Sequence, residues 1–545
     1  MSSTDTVVIG AGHNGLACAA YLARAGLSVV VVEASETPGG CIHTVDMPQG
    51  GRLELGGYEH GGIRGSGVAA DLELESRFGL RFHLRDEVTL APCDDGSALA
   101  FHSSLERTLE LLEPVVGAEE AERYRRFAGW ASAAANVVSQ TEAGPPPTLR
   151  ELAALSETAL GAEGQRLLQA LFGSASALLR GVFRDERLQG PMAHWAAHSQ
   201  QSPADPGTGA GALMLAGGHG TPAARPVGGS RATIEALVRC LEAHGGELRC
   251  GAPAERVELV GGRAVAVVAG GERIDARRAV VSAIDARRLF DGLMAGSAPT
   301  AALRAELDRM HVGRRNVSEL KVDAVLSRMP QIPGPAGFER SFMLSANTTS
   351  DIERAFAAIQ LGELAPRGPA MIAFPSALEP GWAPRKGQAV VWLSTFVPWR
   401  PADGPWDEAR LERAADHLWA TAERALGTRL DVVSRRLTGP NEWVARHGSS
   451  HANPNQIEMS LDQLLAFRPS PSLARYRTPV ENLFLTGAGT HPGGGITGVP
   501  GRNSARVALQ ALGLAPRRPA AQRAREQLAM LRDAARAVRS LRSAA

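Results

Sequence analysis

The run Val7-Val8-Ile9-Gly10-Ala11-Gly12-His13-Asn14-Gly15-Leu16 decides how this chain begins to fold. Three consecutive β-branched residues suit a short strand buried on both faces. The glycines at 10, 12 and 15 then divide three tasks. They permit a tight turn, let main-chain N–H groups approach a pyrophosphate, and let a helix pack closely on the sheet. Gly15 to Ala25 is Ala/Leu-rich and predicts that helix, with Gly26 where a C-terminal cap belongs. Leu27 to Val32 predicts a second strand. Glu33 ends it, about 20 residues after the turn, where an acidic side chain accepts ribose hydroxyls. The helix N-terminus adds unpaired donors and the positive end of a dipole. Gly10, Ala11, Gly12, Asn14, Gly15 and Glu33 thus form one candidate dinucleotide site.

Working outward, Pro38-Gly39-Gly40 follows Glu33 closely. Alone it would pass for a turn. After an acid-ended strand, Gly39 and Gly40 suit close backbone approach to a second part of an extended cofactor. Far downstream, residues 485–498 read LTGAGTHPGGGITG, between a predicted strand (Asn482 to Thr486) and a helix expected from Arg502 to Leu512. No acid-ended strand follows, so this is not a second dinucleotide turn. Bare glycine backbone there suits a surface wrapped around a planar ligand, with Gly489, Thr490, Thr497 and Gly498 as contacts. As a plain loop, so many glycines would be entropically expensive. Gly207 to Gly211 lacks a preceding strand and reads as loop.

Composition excludes several classes. The 545 residues carry 58 Lys+Arg against 57 Asp+Glu, so no net field favours nucleic acid. Five dispersed cysteines without a C-x-x-C pair argue for a reducing compartment and against a redox dithiol. The fourteen histidines include no H-E-x-x-H motif, so no metal is expected. No apolar run reaches membrane-spanning length and no secretory signal precedes Val7, which makes cytoplasmic the expected location.

The remaining chain alternates between α/β material and other patterns. Helices are expected over 105–142 and 149–182, and a Gly/Pro/Ala-rich loop with turns over 202–230. Ala232 to His244 predicts a helix. Short strands follow at Glu247 to Cys250, Val257 to Val260, Ala264 to Val268 and Ala279 to Val281, with Gly261-Gly262 as a hairpin turn. Strands near 317–326 and 388–397 and a helix over 406–426 complete a less regular region. The economical architecture is α/β, with a discontinuous Rossmann-type domain from 1–75, 225–295 and 475–515. A substrate domain of α+β character takes 76–224 and 296–474. A basic helical tail, 516–545, keeps Leu528, Leu531, Ala535, Val538 and Leu541 at helical spacing. Such a tail suits peripheral membrane contact, docking on the protein, or solvation.

Here the residues reach a family. VVIGAGHNGLACAAYLARAGLSVVVVEA followed by PGG resembles the opening of flavoprotein oxidoreductases of the phytoene desaturase and carotenoid isomerase superfamily. MSLDQLLAFRPSPSLARYRTPVENLFLTGAGTHPGGGITGVPGRNSA is similar in particular to the phytoene dehydrogenase-related, pyridine nucleotide-disulphide oxidoreductase-domain branch. PVGGSRATIEALVRCLEAHGGELRCGAPAERVELVGGRAVAVV is similar to that family's second FAD-binding segment. The resemblance implies FAD as cofactor, with Gly10, Gly12 and Gly15 at the pyrophosphate and Glu33 at the ribose. It also implies the Ala254 backbone at the adenine and residues 487–498 around the flavin. Ala488 stands where many relatives have an acid, and Ala254 where valine is usual.

For catalysis, His60 follows the first cofactor segment and His491 lies inside the second glycine loop. Imidazole titrates near neutrality, so either could move a proton beside a hydride transfer, or simply anchor its loop. Cys41 invites thought of a covalent flavin, though a small buried residue is the plainer account. The expected activity is hydride abstraction from a small organic molecule, apolar or a biosynthetic intermediate, with reoxidation by oxygen or a quinone. A redox-neutral isomerase using reduced FAD and a non-enzymatic flavin-binding protein remain as alternatives.

Overall fold

The computed structural model describes residues 2–345 and 348–514. The predicted helical tail lies outside the described residues.

The opening βαβ unit forms from β1 (Ser2–Ile9), α1 (His13–Arg24) and β2 (Val29–Val32). Val7, Val8 and Ile9 are fully or almost fully buried, as a strand covered on both faces requires. Gly26 follows α1 with φ +90°, a conformation that only glycine adopts without strain. β1 pairs in parallel with β2 on one side and with Glu272–Ser282 on the other. Glu247–Arg249 extends the sheet beyond β2 in parallel. Leu483–Leu485 pairs in parallel with the end of Glu272–Ser282. The strands Ala254–Val260 and Arg263–Ala269 add an antiparallel meander. They turn through Gly261 and Gly262, both at positive φ, as a two-residue hairpin demands.

Helices Arg231–Ala243 and Val499–Ala511 pack with α1 on one face of this sheet. Phe290, Leu303, Leu307 and Met310 cover the other. The helix Val499–Ala511 crosses α1 closely because Gly501 has no side chain; a Cβ there would lie 2.9 Å from the Cys18 nitrogen.

A second seven-stranded sheet runs in the order Val432–Thr438, Val317–Leu326, Ala389–Pro398, Ala370–Ala373, Phe342–Leu344, Glu87–Pro92, Ala98–His102. All its pairings are antiparallel except that of Phe342–Leu344 with Glu87–Pro92. Helix Glu408–Leu426 buries Ala414, Leu418 and Ala422 against one face. Helices Ala118–Thr141, Glu186–Ala197 and Gly209–Gly217 enclose the other.

Three expectations need correction. Residues 202–230 are not merely loop: they hold the helix Gly209–Gly217 and the strand Ala223–Pro226. Gly209 and Gly211 lie inside that helix because it packs so tightly that a Cβ on Gly211 would stand 2.6 Å from the Ala196 Cα. Tertiary contact here overrides the poor helix propensity of glycine. Ala279 to Val281 is the end of an eleven-residue strand, Glu272–Ser282. The last helix starts at Val499 rather than Arg502, immediately after Gly498 at φ +67° and with Pro500 in its first turn.

Candidate functional site

Gly10 turns the chain at φ +98°, and its N–H donates to the Val32 carbonyl at 2.8 Å. Gly15 lies against this turn, and a Cβ there would collide with the Gly10 carbonyl oxygen. Gly12 is different. Its φ is −69°, open to any residue, and a Cβ would meet nothing within 4 Å. No internal contact requires glycine at position 12. The space before it is open, and α1 begins there with no side-chain cap and no acid in its first turn. The leading N–H groups of a helix have no partner within it. Asn14 is buried beside them with an unpaired Oδ1.

Glu33 closes the other side of the turn. Its Oε2 accepts from the Ala11 N–H at 2.7 Å and its Oε1 from the Ser35 N–H at 3.0 Å. Each carboxylate oxygen keeps a second lone pair for a ligand hydroxyl. Ala252 N–H donates to the Glu33 carbonyl at 2.8 Å. That bond brings the loop before Ala254, the first residue of its strand, next to Glu33. Gly39 N–H donates to Ala11 O at 3.0 Å. Gly40, at φ +58°, lies so near that a Cβ would be 3.4 Å from the Gly12 Cα.

The C-terminal glycine loop meets the first. His13 Nε2 donates to the Gly495 carbonyl at 3.2 Å, and burial pushes this ring down to about 4, so it is neutral near pH 7. Ser66 donates to the Thr497 carbonyl at 2.8 Å. The Thr497 hydroxyl accepts from Val499 N–H, and Thr490 turns its hydroxyl inward to the Gly487 carbonyl at 2.9 Å. Thr490 is therefore occupied in shaping the loop. Gly489 N–H donates to Gln456 Oε1 at 2.7 Å, while Gln456 Nε2 donates to Ala283 O at 2.8 Å. Gly498 supplies the positive-φ entry to the last helix, and a Cβ there would press on Val68 at 2.9 Å.

Two residues the sequence did not single out hold this loop. Gln456 is one. Arg468 is the other: fully buried, it donates to the carbonyls of Ala488, Glu458, Gln463, Asn455 and Ile457. Burial pushes its guanidinium down to about 9, which leaves it charged at neutral pH.

The two candidate acid/base histidines are both interior. His60 shares a 2.7 Å hydrogen bond through Nδ1 with Thr233 Oγ1 and has an unpaired Nε2. Burial first, then the charge of Arg225, push it down to about 3. His491 Nε2 donates to the Thr141 carbonyl at 2.9 Å, leaving Nδ1 without a partner; burial pushes its ring down to about 4. Both are neutral near pH 7, each with one ring nitrogen committed. Cys41 is half-buried and burial pushes its thiol up to about 12, so it is not a ready thiolate.

Beyond Gly56 and Gly57 the interior becomes aromatic. Tyr58, Phe342 and Trp392 lie within 6.0 Å of one another, centroid to centroid. Arg225 sits 3.9 Å over the Tyr58 ring and 4.7 Å over Trp382, and pairs with Glu54 at 3.2 Å. Lys321 pairs with Asp323 at 3.0 Å and also donates to the Glu54 carbonyl. These buried ions lock the second sheet to the segment that follows the first glycine turn. Among the described residues, no helix is long and apolar enough to cross a membrane.

Residues 8–60 match the NAD(P)-binding Rossmann-like domain. The rat (Rattus norvegicus) pyridine nucleotide-disulfide oxidoreductase domain-containing protein 2 is 28% identical over 558 residues, spanning 93% of this chain and 94% of that protein. A hydroxyneurosporene desaturase of Cereibacter sphaeroides is 29% identical over 534 residues, 92% of this chain and 97% of that one. An oxidoreductase structure from Methanosarcina mazei superposes with a TM-score of 0.58 at 17% identity, covering 93% of this chain and 99% of that one. The molecule is thus an α/β protein in which a dinucleotide-binding Rossmann domain is joined to a mixed-sheet substrate domain. Over nearly its whole length the chain is similar to phytoene desaturase-like proteins and to pyridine nucleotide-disulfide oxidoreductase domain-containing protein 2. The cysteines within the described residues are unpaired, so the disulfide in that relative's name has no counterpart here.

Proposed function

We propose that this protein binds FAD non-covalently and dehydrogenates a small organic substrate, with oxygen or a quinone as final acceptor. The observation that carries the reading is Gly12: an unstrained glycine, with open space in front of it, at the uncapped start of a twelve-residue helix. A diphosphate fits that combination, because it needs bare N–H donors and gains from the helix dipole. Glu33, held by two backbone donors, suits the adjacent ribose. The second glycine loop, tied to the first through His13, suits the flavin end.

FAD, when bound, supplies a two-electron acceptor for hydride. The chain's own contribution is binding, orientation and exclusion of water. Gly10, Gly12, Gly15, Gly39 and Gly40 keep the cradle free of side chains. Gln456 and Arg468 hold the second loop in register. His60 and His491, neutral and each with an unpaired nitrogen, can accept a proton or a hydrogen bond from a bound group. The family names support oxidation of C–H bonds: hydroxyneurosporene desaturase in one relative, a phytoene desaturase from Myxococcus xanthus in another.

The test is anaerobic. Purified protein should be yellow, release its flavin on denaturation, and bleach when the right substrate is added. Protein that stays colourless after expression with ample riboflavin and reconstitution with FAD would overturn the assignment. A yellow protein that isomerises polyenes only after photoreduction would replace dehydrogenation by redox-neutral chemistry.

A further inference from the structure

A third brace of the second glycine loop reaches it from another side. Tyr476 is fully buried and holds φ +65°, a left-handed conformation costly for a residue with a side chain. Held there, it touches the loop twice. Its backbone carbonyl accepts from the Leu485 N–H at 2.9 Å, where the last strand ends. Its hydroxyl donates to the His491 carbonyl at 2.7 Å, inside the loop itself. The same hydroxyl accepts from Asn503 Nδ2 at 3.1 Å.

Asn503 is buried in the helix Val499–Ala511 and carries the brace further. Its Nδ2 also lies 2.8 Å from the Glu142 carbonyl and 3.1 Å from the Gly144 carbonyl. Carbonyls only accept, so the amide nitrogen and not its oxygen must face them. The carbonyls at the end of a helix have no partner within it. Thr141, Glu142, Ala143 and Gly144 finish the helix Ala118–Thr141 and the turn after it, and each accepts from far along the chain. The donors are His491 at 2.9 Å, Asn503, Arg506 at 3.4 Å, and Asn503 again.

The bonds close a circuit. His491 Nε2 holds Thr141, Tyr476 holds the His491 carbonyl, Asn503 holds Tyr476, and Asn503 returns to Glu142, the neighbour of Thr141. Members of a buried network support one another, so removing one loosens groups it does not touch. The helix so held contributes Tyr124, Phe127 and Trp130 to the same buried cluster as Tyr58, Phe342 and Trp392. Its end is tied to the second glycine loop and its side to the aromatic interior. We infer that Asn503 is a positioning residue that, through Tyr476, makes the second glycine loop and the end of helix Ala118–Thr141 one coupled element. Coupling is reciprocal. A cofactor that orders the loop also orders the helix end, and whatever fixes the helix end tightens the hold on the cofactor. This deepens the FAD reading and rests on it only for the identity of that cofactor.

The experiment is hydrogen exchange read by mass spectrometry on the full-length protein, its flavin content measured first. Two peptides are compared, one covering residues 138–144 and one covering 486–498. Asn503→Ala should speed exchange in both by about fivefold, the scale of one lost hydrogen bond, although position 503 lies in neither. Tyr476→Phe removes a single oxygen and should speed both by a smaller factor. Added FAD should slow both peptides in the wild type and should protect 138–144 less in Asn503→Ala. A residue that merely capped the helix would loosen 138–144 and leave 486–498 at the wild-type rate. That result, a Tyr476→Phe effect confined to 486–498, or equal protection by FAD in wild type and Asn503→Ala would overturn the coupling. If Asn503→Ala does not fold, Tyr476→Phe decides by the same criterion. Colourless wild type tells against FAD and not against the circuit. The variants are then compared without flavin, where joint loosening supports the coupling and separate loosening sinks it.

Discussion

The imidazole Nε2 of His13 donates to the carbonyl of Gly495 at 3.2 Å, which joins glycine loops from opposite ends of the chain. Because burial holds this ring at about 4, it is neutral and can serve as donor across the working pH range. If the two loops grip one cofactor, this bond sets their separation. His13→Ala should weaken FAD binding about 2- to 12-fold, corresponding to roughly 0.5–1.5 kcal/mol for one hydrogen bond. Flavin fluorescence titration measures it. Unchanged affinity would mean that the loops are positioned without the bond.

The glycines at 12 and 15 should fail in different ways. Gly12→Val adds atoms to empty space at an ordinary φ, so the apoprotein should keep its urea midpoint while losing flavin. Gly15→Val drives a side chain into the Gly10 carbonyl and should cost about 1–3 kcal/mol of stability, the range for overpacking. Flavin content and urea unfolding, measured on both variants, separate the two. A Gly12→Val protein that remained yellow would remove the main support for a diphosphate at this turn.

Arg468 gives a prediction of stability. Five backbone carbonyls accept from one guanidinium that is fully buried. Arg468→Met keeps the volume but removes the donor to the Ala488, Gln463 and Ile457 carbonyls, while Glu458 and Asn455 keep bonds from Gln463 Nε2 and the Ile457 N–H, at a cost of roughly 3–5 kcal/mol. Arg468→Lys should recover little, since an ammonium has three donors and no planar fork. Chemical denaturation of the three proteins decides it. Flavin retention should fall in parallel, because the Ala488 carbonyl belongs to the second glycine loop.

How much was legible beforehand follows from the range of each interaction. The βαβ opening and the Gly261–Gly262 hairpin were readable because the decisive contacts lie within about a dozen to thirty residues and glycine marks each turn. The helix Gly209–Gly217 was not, since its glycines are explained by Ala170 and Ala196 pressed against it, not by local propensity. Gln456 and Arg468 carry no motif; their meaning comes from carbonyls that only the folded loop gathers. His60 and His491 were visible as histidines near glycine loops. Their neutrality, however, is a property of burial, which spacing does not encode.

Glu142 predicts a pH dependence. It caps the helix Ala118–Thr141 next to the Thr141 carbonyl that receives His491, and Asn503 donates to its backbone carbonyl at 2.8 Å. Burial raises its carboxyl to about 7, with Arg502 opposing only in part. The unfolded chain releases this proton near the ordinary carboxylate value of about 4.3. Between those two values the folded form holds more protons than the unfolded one, so stability falls as pH rises. The contribution is complete below the unfolded pKa and is lost as pH climbs through 7. The buried histidines act oppositely: their depressed values of about 3 and 4 for His60 and His13 make stability fall as pH drops below the usual histidine range. Comparing wild type with Glu142→Gln isolates the carboxyl, because the histidines are common to both. The urea midpoint of Glu142→Gln should gain on wild type from pH 5 to pH 8. A constant difference across that range would show that Glu142 titrates as an ordinary solvated acid.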